Sequence, residues 1–218
     1  MVHTVEYSPG RSADVFGDPA QPTVLMWHGA QTDSRAAMRP LAERVHGHGL
    51  SVVLTDWDSH ADDRGRADLL ASAEYAGQRA DGHPLVLVGW SMGGLAAAGL
   101  TIHARQIEVA HTVCLAGAFM VPDPISGEPL PTELSGDAVP FTLLHGSSDA
   151  VIPVDVSRNF AETLSHSGWP VSCAVLEADH GSIAGAAYDP SADRYSPASD
   201  SASLAVASDV AARIAATF

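Results

Sequence analysis

The sequence predicts an α/β fold in which helices cover both faces of a mostly parallel β-sheet, a three-layer α/β/α sandwich. Short apolar runs typical of strands alternate along the chain with longer helical stretches. Such alternation is typical of βαβ units, whose strands pair in parallel. With 218 residues, of which 46% are hydrophobic and 17% charged, the chain is long enough to bury a substantial core. We expect residues 1–218 to form a single domain.

The predicted strands are largely apolar runs, as expected for strands that are buried on both faces of a sheet. In chain order they are residues 23–27, 51–55, 85–88, 111–116, 141–145 and 171–176. The portion of the chain before Thr23 is short and has room for one or two edge strands around residues 3–7.

The predicted helices lie between these strands. In chain order they are residues 35–48, 64–80, 93–105, 154–167 and 199–216. Gly49 follows the first of them, where a glycine commonly ends a helix, and the last is amphipathic. Residues 119–138, rich in Pro and Gly, and the polar residues 184–196 are expected to be loops.

Composition excludes several partners and mechanisms. The formal net charge is −15 and the 11 basic residues are scattered arginines, so nucleic acid and anionic membranes are poor partners. The absence of lysine excludes a Schiff-base lysine, a Walker A loop and a Ser-x-x-Lys nucleophile. No Cys/His metal spacing occurs, and residues 56–63 depart from a calcium loop at key positions. No apolar run could span a membrane and no secretory signal is visible, so we expect a cytoplasmic protein.

The most informative motif is Gly-Trp-Ser-Met-Gly at residues 89–93, which lies between a predicted strand and a predicted helix. Its glycines permit a sharp turn that lifts Ser91 clear of the sheet. The start of the following helix then faces any negative charge that develops at the serine. Ser91 is therefore the candidate nucleophile, and an ordinary glycine-rich turn is the alternative.

A serine hydroxyl needs a base to take its proton and a group that orients this base. Sites in parallel sheets form at the carboxyl ends of strands, so both residues should follow a strand. His180 follows the last predicted strand and is the candidate base, with a surface-loop histidine as the alternative. Asp149 follows the strand that ends at His145 and is the candidate acid, with a turn or helix-capping aspartate as the alternative. Asp123 is the rival acid, whereas Asp179 is too close in sequence to His180 to reach its ring easily.

The candidates occur in the order Ser91, Asp149, His180, and the pair His28-Gly29 follows the first long strand. With these motifs at these strand ends, the chain resembles the α/β-hydrolase family over nearly its whole length. The resemblance implies a serine hydrolase that cleaves small to medium carboxylic esters through an acyl-enzyme, without a metal or an organic cofactor. Thioesterase, lactone or dienelactone-type hydrolase, acyltransferase and perhydrolase activities use the same triad and remain open, and a non-catalytic binding scaffold is a remote alternative. An oligomeric state is not predicted.

The resemblance also implies an oxyanion hole formed by the backbone N–H groups of Met92 and Ala30, with Gln31 as the alternative to Ala30. His28 is expected to brace the loop that carries them. Large lids are often inserted in this family at the segment corresponding to residues 119–138, but about twenty residues are too few to hold one. We therefore expect a minimal enzyme without a cap domain and with an open site. The candidate pocket residues, most of which follow strand ends, are Gln31, Trp57, Phe119, Met120, Ile152 and Ile183.

The strand order that the resemblance implies separates the two cysteines. The strand at residues 141–145 lies between the strands that hold Cys114 and Cys173. Two inter-strand steps are about 10 Å, which is beyond the reach of a disulfide. Both cysteines are expected to be free and to behave as small buried apolar groups.

Overall fold

An eight-stranded β-sheet forms the centre of the protein in the computed structural model, which describes residues 2–103 and 107–218. Its strands are β1 (Val2–Ser8), β2 (Arg11–Phe16), β3 (Thr23–Trp27), β4 (Ser51–Thr55), β5 (Leu85–Trp90), β6 (Val109–Leu115), β7 (Phe141–Gly146) and β8 (Val171–Leu176). The order across the sheet is β1-β2-β4-β3-β5-β6-β7-β8. Strands β3 to β8 pair in parallel, whereas β1 pairs antiparallel with β2, and β2 with β4. This confirms the mostly parallel sheet and the edge strands expected near the N-terminus.

Helices of the described residues cover both faces of the sheet. They are α1 (Arg39–Gly47), α2 (Arg66–Arg79), α3 (Met92–His103), α4 (Val154–His166) and α5 (Ser201–Ala215). Helices α1 and α5 pack on the face to which Val24 and Met26 point. Helices α2, α3 and α4 pack on the opposite face, against Leu25, Trp27 and Leu143. Because alternate residues of the apolar strands enter two separate cores, the three-layer α/β/α sandwich is confirmed.

Helices α2, α4 and α5 begin and end within two residues of the expectation, whereas the other two differ in ways that need comment. The helix expected at residues 35–48 begins as a 3₁₀ turn, Arg35–Met38, and becomes α-helical at Arg39, with Pro40 in its first turn. Proline favours this position because the N–H that it lacks would have no helical acceptor there. The expected end of the helix at residues 93–105 falls partly on residues 104–106, which lie outside the described residues.

The expectation of a loop at residues 184–196 is wrong. Strands β9 (Ala186–Asp189) and β10 (Arg194–Pro197) form an antiparallel hairpin that is separate from the main sheet. These short strands are half exposed and largely polar, so they lack the apolar run that identifies a buried strand. A 3₁₀ turn, Ser182–Ala184, joins the hairpin to the loop that carries His180.

The strand order also places the cysteines as expected, with β7 between Cys114 and Cys173, and both thiols are free. Cys114 is buried, and burial raises the pKa of its thiol. Cys173 is exposed because β8 is an edge strand with several exposed side chains. The expectation of a buried group is therefore wrong for Cys173.

The connection between β6 and β7 has no regular secondary structure. Residues 116–140, all of which are described, contain turns and bends but no helix or strand, in agreement with the expectation that no cap is inserted there. None of the helices in the described ranges is long and apolar enough to cross a bilayer.

Candidate active site

Ser91 lies on a sharp turn between β5 and α3. Its φ of +56° is in the left-handed region, which a non-glycine residue rarely adopts. The turn is held by a hydrogen bond of 2.8 Å from the Ser91 N–H to the carbonyl of Leu115. A Cβ at Gly89 would lie 2.0 Å from the carbonyl oxygen of Gly93, and a Cβ at Gly93 would lie 2.4 Å from that of His28. Only glycines therefore fit on either side of this serine.

Asp149 and His180 are joined directly. The Nδ1 atom of His180 lies 2.8 Å from Oδ2 of Asp149, and the Oδ1 atom of Asp149 accepts hydrogen bonds of 2.8 Å from the backbone N–H groups of Val151 and Ile152. Burial alone would raise the pKa of Asp149, but its hydrogen bonds with His145 and His180 outweigh this and hold the pKa well below its usual range. An ionised Asp149 accepts a hydrogen bond from the Nδ1–H of His180, so the Nε2 atom of the neutral ring is left with its lone pair.

His145 is a second histidine on the same carboxylate, and the sequence argument did not assign it a role. Its Nε2 atom lies 3.4 Å from Oδ2 of Asp149 and 2.9 Å from the carbonyl of Ile152. Its Nδ1 atom lies 2.8 Å from the hydroxyl of Ser157. His145 is fully buried, so it supports Asp149 from inside the protein while His180 faces the site. In the sequence, only its position at the end of β7, four residues before Asp149, indicates that His145 could contact this carboxylate.

Ser91 and His180 line one cavity of about 150 Å³, which we call the His180-side cavity. Its walls are Gly29, Ala30, Gln31, Trp90, Ser91, Val151, His180 and Tyr195. Trp90 holds the loop that carries His180, since its indole N–H donates to the carbonyl of His180 at 2.7 Å. Within the described residues no hydrogen bond joins Ser91 Oγ to His180. Such catalytic hydrogen bonds are often long before substrate binds.

Two backbone N–H groups beside Ser91 have no acceptor within the part of the chain that the structure describes, those of Ala30 and Met92. The N–H of Gln31 instead donates to the carbonyl of Gly29 at 2.8 Å. Gly29 packs tightly on Ser91, because a Cβ at this position would lie 3.2 Å from that of Ser91. Of the two alternatives for the second oxyanion donor, the geometry favours Ala30 over Gln31.

His28 holds this loop from below. Its Nε2 atom accepts the backbone N–H groups of Trp57 at 3.2 Å and Ser34 at 3.3 Å, and its Nδ1 atom lies 2.8 Å from the carbonyl of Gly29. Burial lowers the pKa of His28 to about 4. A neutral ring can both donate from Nδ1 and accept at Nε2, which fits the bracing role expected for this residue.

The carboxylates of Asp123 and Asp179 accept hydrogen bonds from backbone N–H groups of their own loops. Asp123 is buried and accepts the backbone N–H groups of Ile125 and Ser126, both at 2.9 Å. Asp179 caps the turn after His180, accepting the N–H groups of Gly181 at 2.9 Å and Ser182 at 2.7 Å.

Of the expected pocket residues, Gln31 lines the His180-side cavity and Trp57 does not. Trp57 is fully buried, its ring stacks on His28 with 5.5 Å between centroids, and its indole N–H donates to the His28 carbonyl at 3.1 Å. Ile183 is also fully buried, in the core beneath α1 and α5. Contrary to the expectation, Trp57 and Ile183 do not line the cavity that holds Ser91, because a position after a strand end does not set the direction of the side chain.

The other expected contacts lie close to the site but outside this cavity. Ile152 is only 7% exposed, and its neighbour Val151, 56% exposed, lines the cavity instead. Phe119 and Met120 line a separate hollow against α4, where the Phe119 ring lies 4.2 Å from that of Phe160. These expectations are therefore wrong for the cavity that holds Ser91.

Sequence reasoning missed Trp90, Val151 and Tyr195. Tyr195 comes from the β9–β10 hairpin, and its ring lies 4.9 Å from that of Trp90 and 5.9 Å from that of His180. Two tyrosines in an otherwise polar segment after His180 were the available signal.

Size alone does not identify this site. Two larger hollows, of about 390 and 540 Å³, open at the amino ends of β5 and β6, at the opposite end of the sheet from Ser91. Among the residues that the structure describes, no group of three His, Cys, Asp or Glu side chains is placed to hold a metal ion.

A sequence model of the protein family described as phospholipase/carboxylesterase matches residues 74–186, which include the turn at Ser91 as well as Asp149 and His180. Among curated proteins, no sequence matches this chain.

Solved structures of esterases share the fold. Thermogutta terrifontis esterase 2, in a structure where it is phosphoramylated by tabun, gives a TM-score of 0.74 at 17% identity, covering 97% of this chain and 92% of its own. Pyrobaculum calidifontis esterase gives 0.70 at 16% identity, covering 99% of this chain and 85% of its own. An α/β-hydrolase enzyme from a Medee basin deep-sea metagenome library gives 0.68 at 16% identity, covering 84% of each chain. At such identities the likeness shows the α/β-hydrolase fold.

Proposed function

Because the chain belongs to the phospholipase/carboxylesterase family and is thus a carboxylic ester hydrolase, we propose that it cleaves small to medium carboxylic esters through an acyl-enzyme formed on Ser91. One observation carries the proposal: the hydrogen bond of 2.8 Å between His180 Nδ1 and Asp149 Oδ2, beside a strained serine that lines the same cavity as His180. A serine on such a turn and a histidine oriented by a buried carboxylate are the parts that acyl transfer needs.

Each step of the reaction then falls to a named group. The Ser91 hydroxyl attacks the ester carbonyl carbon while His180 Nε2 takes its proton, and the N–H groups of Ala30 and Met92 bind the resulting oxyanion. When the tetrahedral intermediate collapses, His180 returns the proton to the leaving alcohol and Ser91 keeps the acyl group. A water activated by His180 hydrolyses this acyl-enzyme in the same manner. Asp149 holds the ring and stabilises the imidazolium without taking up a proton.

The dimensions of the site favour small substrates. The His180-side cavity, of about 150 Å³, and a separate hollow of about 250 Å³ that Met92 lines are both below the roughly 300–1,000 Å³ of typical small-molecule sites. The β6–β7 connection supplies no helix over the site among the described residues 116–140, so the substrate is bound in open hollows. We therefore expect esters with short chains to be turned over faster than esters with long chains.

The test compares p-nitrophenyl acetate, butyrate and octanoate in the wild type and in Ser91→Ala. We expect Ser91→Ala to lower kcat on the order of 10⁴-fold or more while the thermal midpoint stays near that of the wild type. Ser165→Ala, on an exposed turn of α4, is the matched control and should retain full activity. Wild-type turnover by Ser91→Ala would exclude Ser91 as the nucleophile, and faster cleavage of octanoate than of butyrate would contradict the short-chain preference. An acyl-CoA thioester and a lactone, assayed in parallel, show which acyl donors share the site.

A further inference from the structure

A second cavity, of about 250 Å³, is lined by Met92, the residue that directly follows Ser91, and we call it the Met92-side cavity. Its walls are Ser59, Arg64, Met92, Val121, Pro122 and Pro124. Met92 directly follows Ser91, whereas Trp90, which directly precedes it, lines the His180-side cavity. The two cavities have no wall residue in common, and each is lined by one of the two residues that adjoin Ser91 in the chain.

Arg64, an exposed residue, brings a cation to the Met92-side cavity. Within the described residues its guanidinium has no hydrogen bond or ion pair. The adjacent Asp63 does not neutralise it by contact, because the carboxylate accepts the backbone N–H groups of Gly65 at 2.9 Å and Ala67 at 2.8 Å. Arg66, two residues later, does have an internal acceptor and donates to the carbonyl of Ile125 at 2.7 Å.

Ser59 contributes a hydroxyl to the same cavity. Its Oγ atom is buried, and within the described residues it has no hydrogen-bond partner. A buried hydroxyl without a partner is costly, and a bound acceptor would remove that cost. The other walls, Met92, Val121 and two prolines, are apolar. The cavity thus combines an apolar passage with two donors, which suits a short hydrocarbon chain that ends in an anion.

The reaction chemistry assigns each cavity to one half of the ester. His180 must give its proton to the leaving alcohol, so the alcohol portion lies against His180, in the cavity that His180 lines. The acyl chain then extends from the carbonyl carbon towards the opposite side of Ser91, which is the side of Met92.

We propose that the Met92-side cavity is an acyl site that selects chains ending in a carboxylate, so that half-esters of dicarboxylic acids are preferred substrates. Arg64 pairs with the terminal carboxylate through charge-assisted hydrogen bonds, and the Ser59 hydroxyl donates to the same group. This inference rests on the proposed esterase function and adds to it a substrate class.

The test uses two esters with six-carbon acyl chains, p-nitrophenyl hexanoate and the mono-p-nitrophenyl ester of adipic acid, which differ by the terminal carboxylate. The readout is the ratio of kcat/KM for the adipate half-ester to kcat/KM for the hexanoate, corrected for spontaneous hydrolysis. We expect the wild type to favour the half-ester, and Arg64→Gln to lower this ratio about tenfold or more. Ser59→Ala should lower it by a smaller factor. Because the pairing is electrostatic and partly exposed, the wild-type ratio should also fall as salt is added.

Two further variants separate recognition of charge from damage to the fold. Arg64→Lys keeps the charge but loses the planar fork, so it should recover part of the ratio that Arg64→Gln loses. Arg213→Gln removes the same charge from the last turn of α5 and should leave the ratio at its wild-type value. A wild-type ratio near one, or an equal ratio in the wild type and Arg64→Gln, would overturn the acyl-site proposal while esterase activity remained. Failure of the wild type to hydrolyse either ester would instead contradict the proposed function.

Discussion

The two cavities beside Ser91 differ in what their walls can do. The His180-side cavity is lined by Trp90, Tyr195 and His180, the proposed base, so we expect the proton transfers to take place there. The larger Met92-side cavity has no group placed for proton transfer among its lining residues, but it has Arg64 and a buried hydroxyl at Ser59. Taken together, our two proposals assign the chemistry to one cavity and the choice of acyl chain to the other. Changes on one side should therefore leave the function of the other side intact.

The largest effect is expected for Asp149→Asn, which acts on both cavities equally. The amide can donate a proton to His180 Nδ1 and so favour the wrong ring tautomer, which should lower kcat about 10⁴-fold. Because both esters need the same base, the ratio of half-ester to hexanoate should not change. Steady-state kinetics with both esters provide the measurement, and Asp155→Asn, on the exposed face of α4, is the control. Loss of turnover for only one of the two esters would break the assignment of a shared catalytic centre.

A smaller effect is expected on the pH dependence of stability, through His28, which braces the loop that carries Ala30 and Gln31. Native His28 has a pKa of about 4, so between pH 6.5 and 4 the unfolded chain binds a proton at this residue that the folded chain does not. Stability must therefore fall as the pH drops through this window, by about 3 kcal/mol for His28 alone. Urea unfolding at pH 7, 5.5 and 4 should show a shallower loss in His28→Gln than in the wild type.

The control for this titration is His48→Gln, at an exposed position after α1, which should follow the wild-type curve. Parallel curves for His28→Gln and the wild type would show that His28 does not set the acid sensitivity of this loop.

The smallest effect is expected for Tyr195→Ala, which tests whether the His180-side cavity binds the alcohol portion of the ester. Tyr195→Ala removes a ring from the His180-side cavity, so kcat/KM for benzyl butyrate should rise relative to methyl butyrate by about five- to tenfold. The preference for the adipate half-ester should stay as it is. Tyr188→Ala, on the same hairpin but outside the cavity, is the control. A changed acyl preference in Tyr195→Ala would mean that the two cavities do not divide the ester as proposed.

The sequence was sufficient for the sheet and for the positions of the candidate catalytic residues. Continuous apolar runs identify strands that are buried on both faces, and a parallel sheet brings the residues after Trp90, His145 and Leu176 to one edge. It was not sufficient for the pocket walls, since a strand end fixes where the backbone leaves the sheet but not where a side chain points. Trp57 illustrates this, because its indole turns inward onto His28.

Contacts between residues that are far apart in the sequence could not be predicted either. The hairpin that carries Tyr195 is too polar and too short to be recognised as strands, and its Tyr195 ring packs against Trp90 and His180, which are distant in the sequence. The Met92-side cavity joins residues from three separate connections, the 56–65 loop, the turn at Ser91 and the 116–140 segment. Nothing in the local pattern at Arg64 indicates that it lies near the nucleophile.

The measurement that tests the central claim most directly is the intact mass of the protein after incubation with a fluorophosphonate, followed by peptide mapping. A nucleophile activated by His180 and Asp149 should form a single adduct at Ser91 in the wild type, and Ser91→Ala should form none. No adduct on the wild-type protein, or an adduct at another residue, would contradict the account of Ser91 as the centre on which both cavities converge.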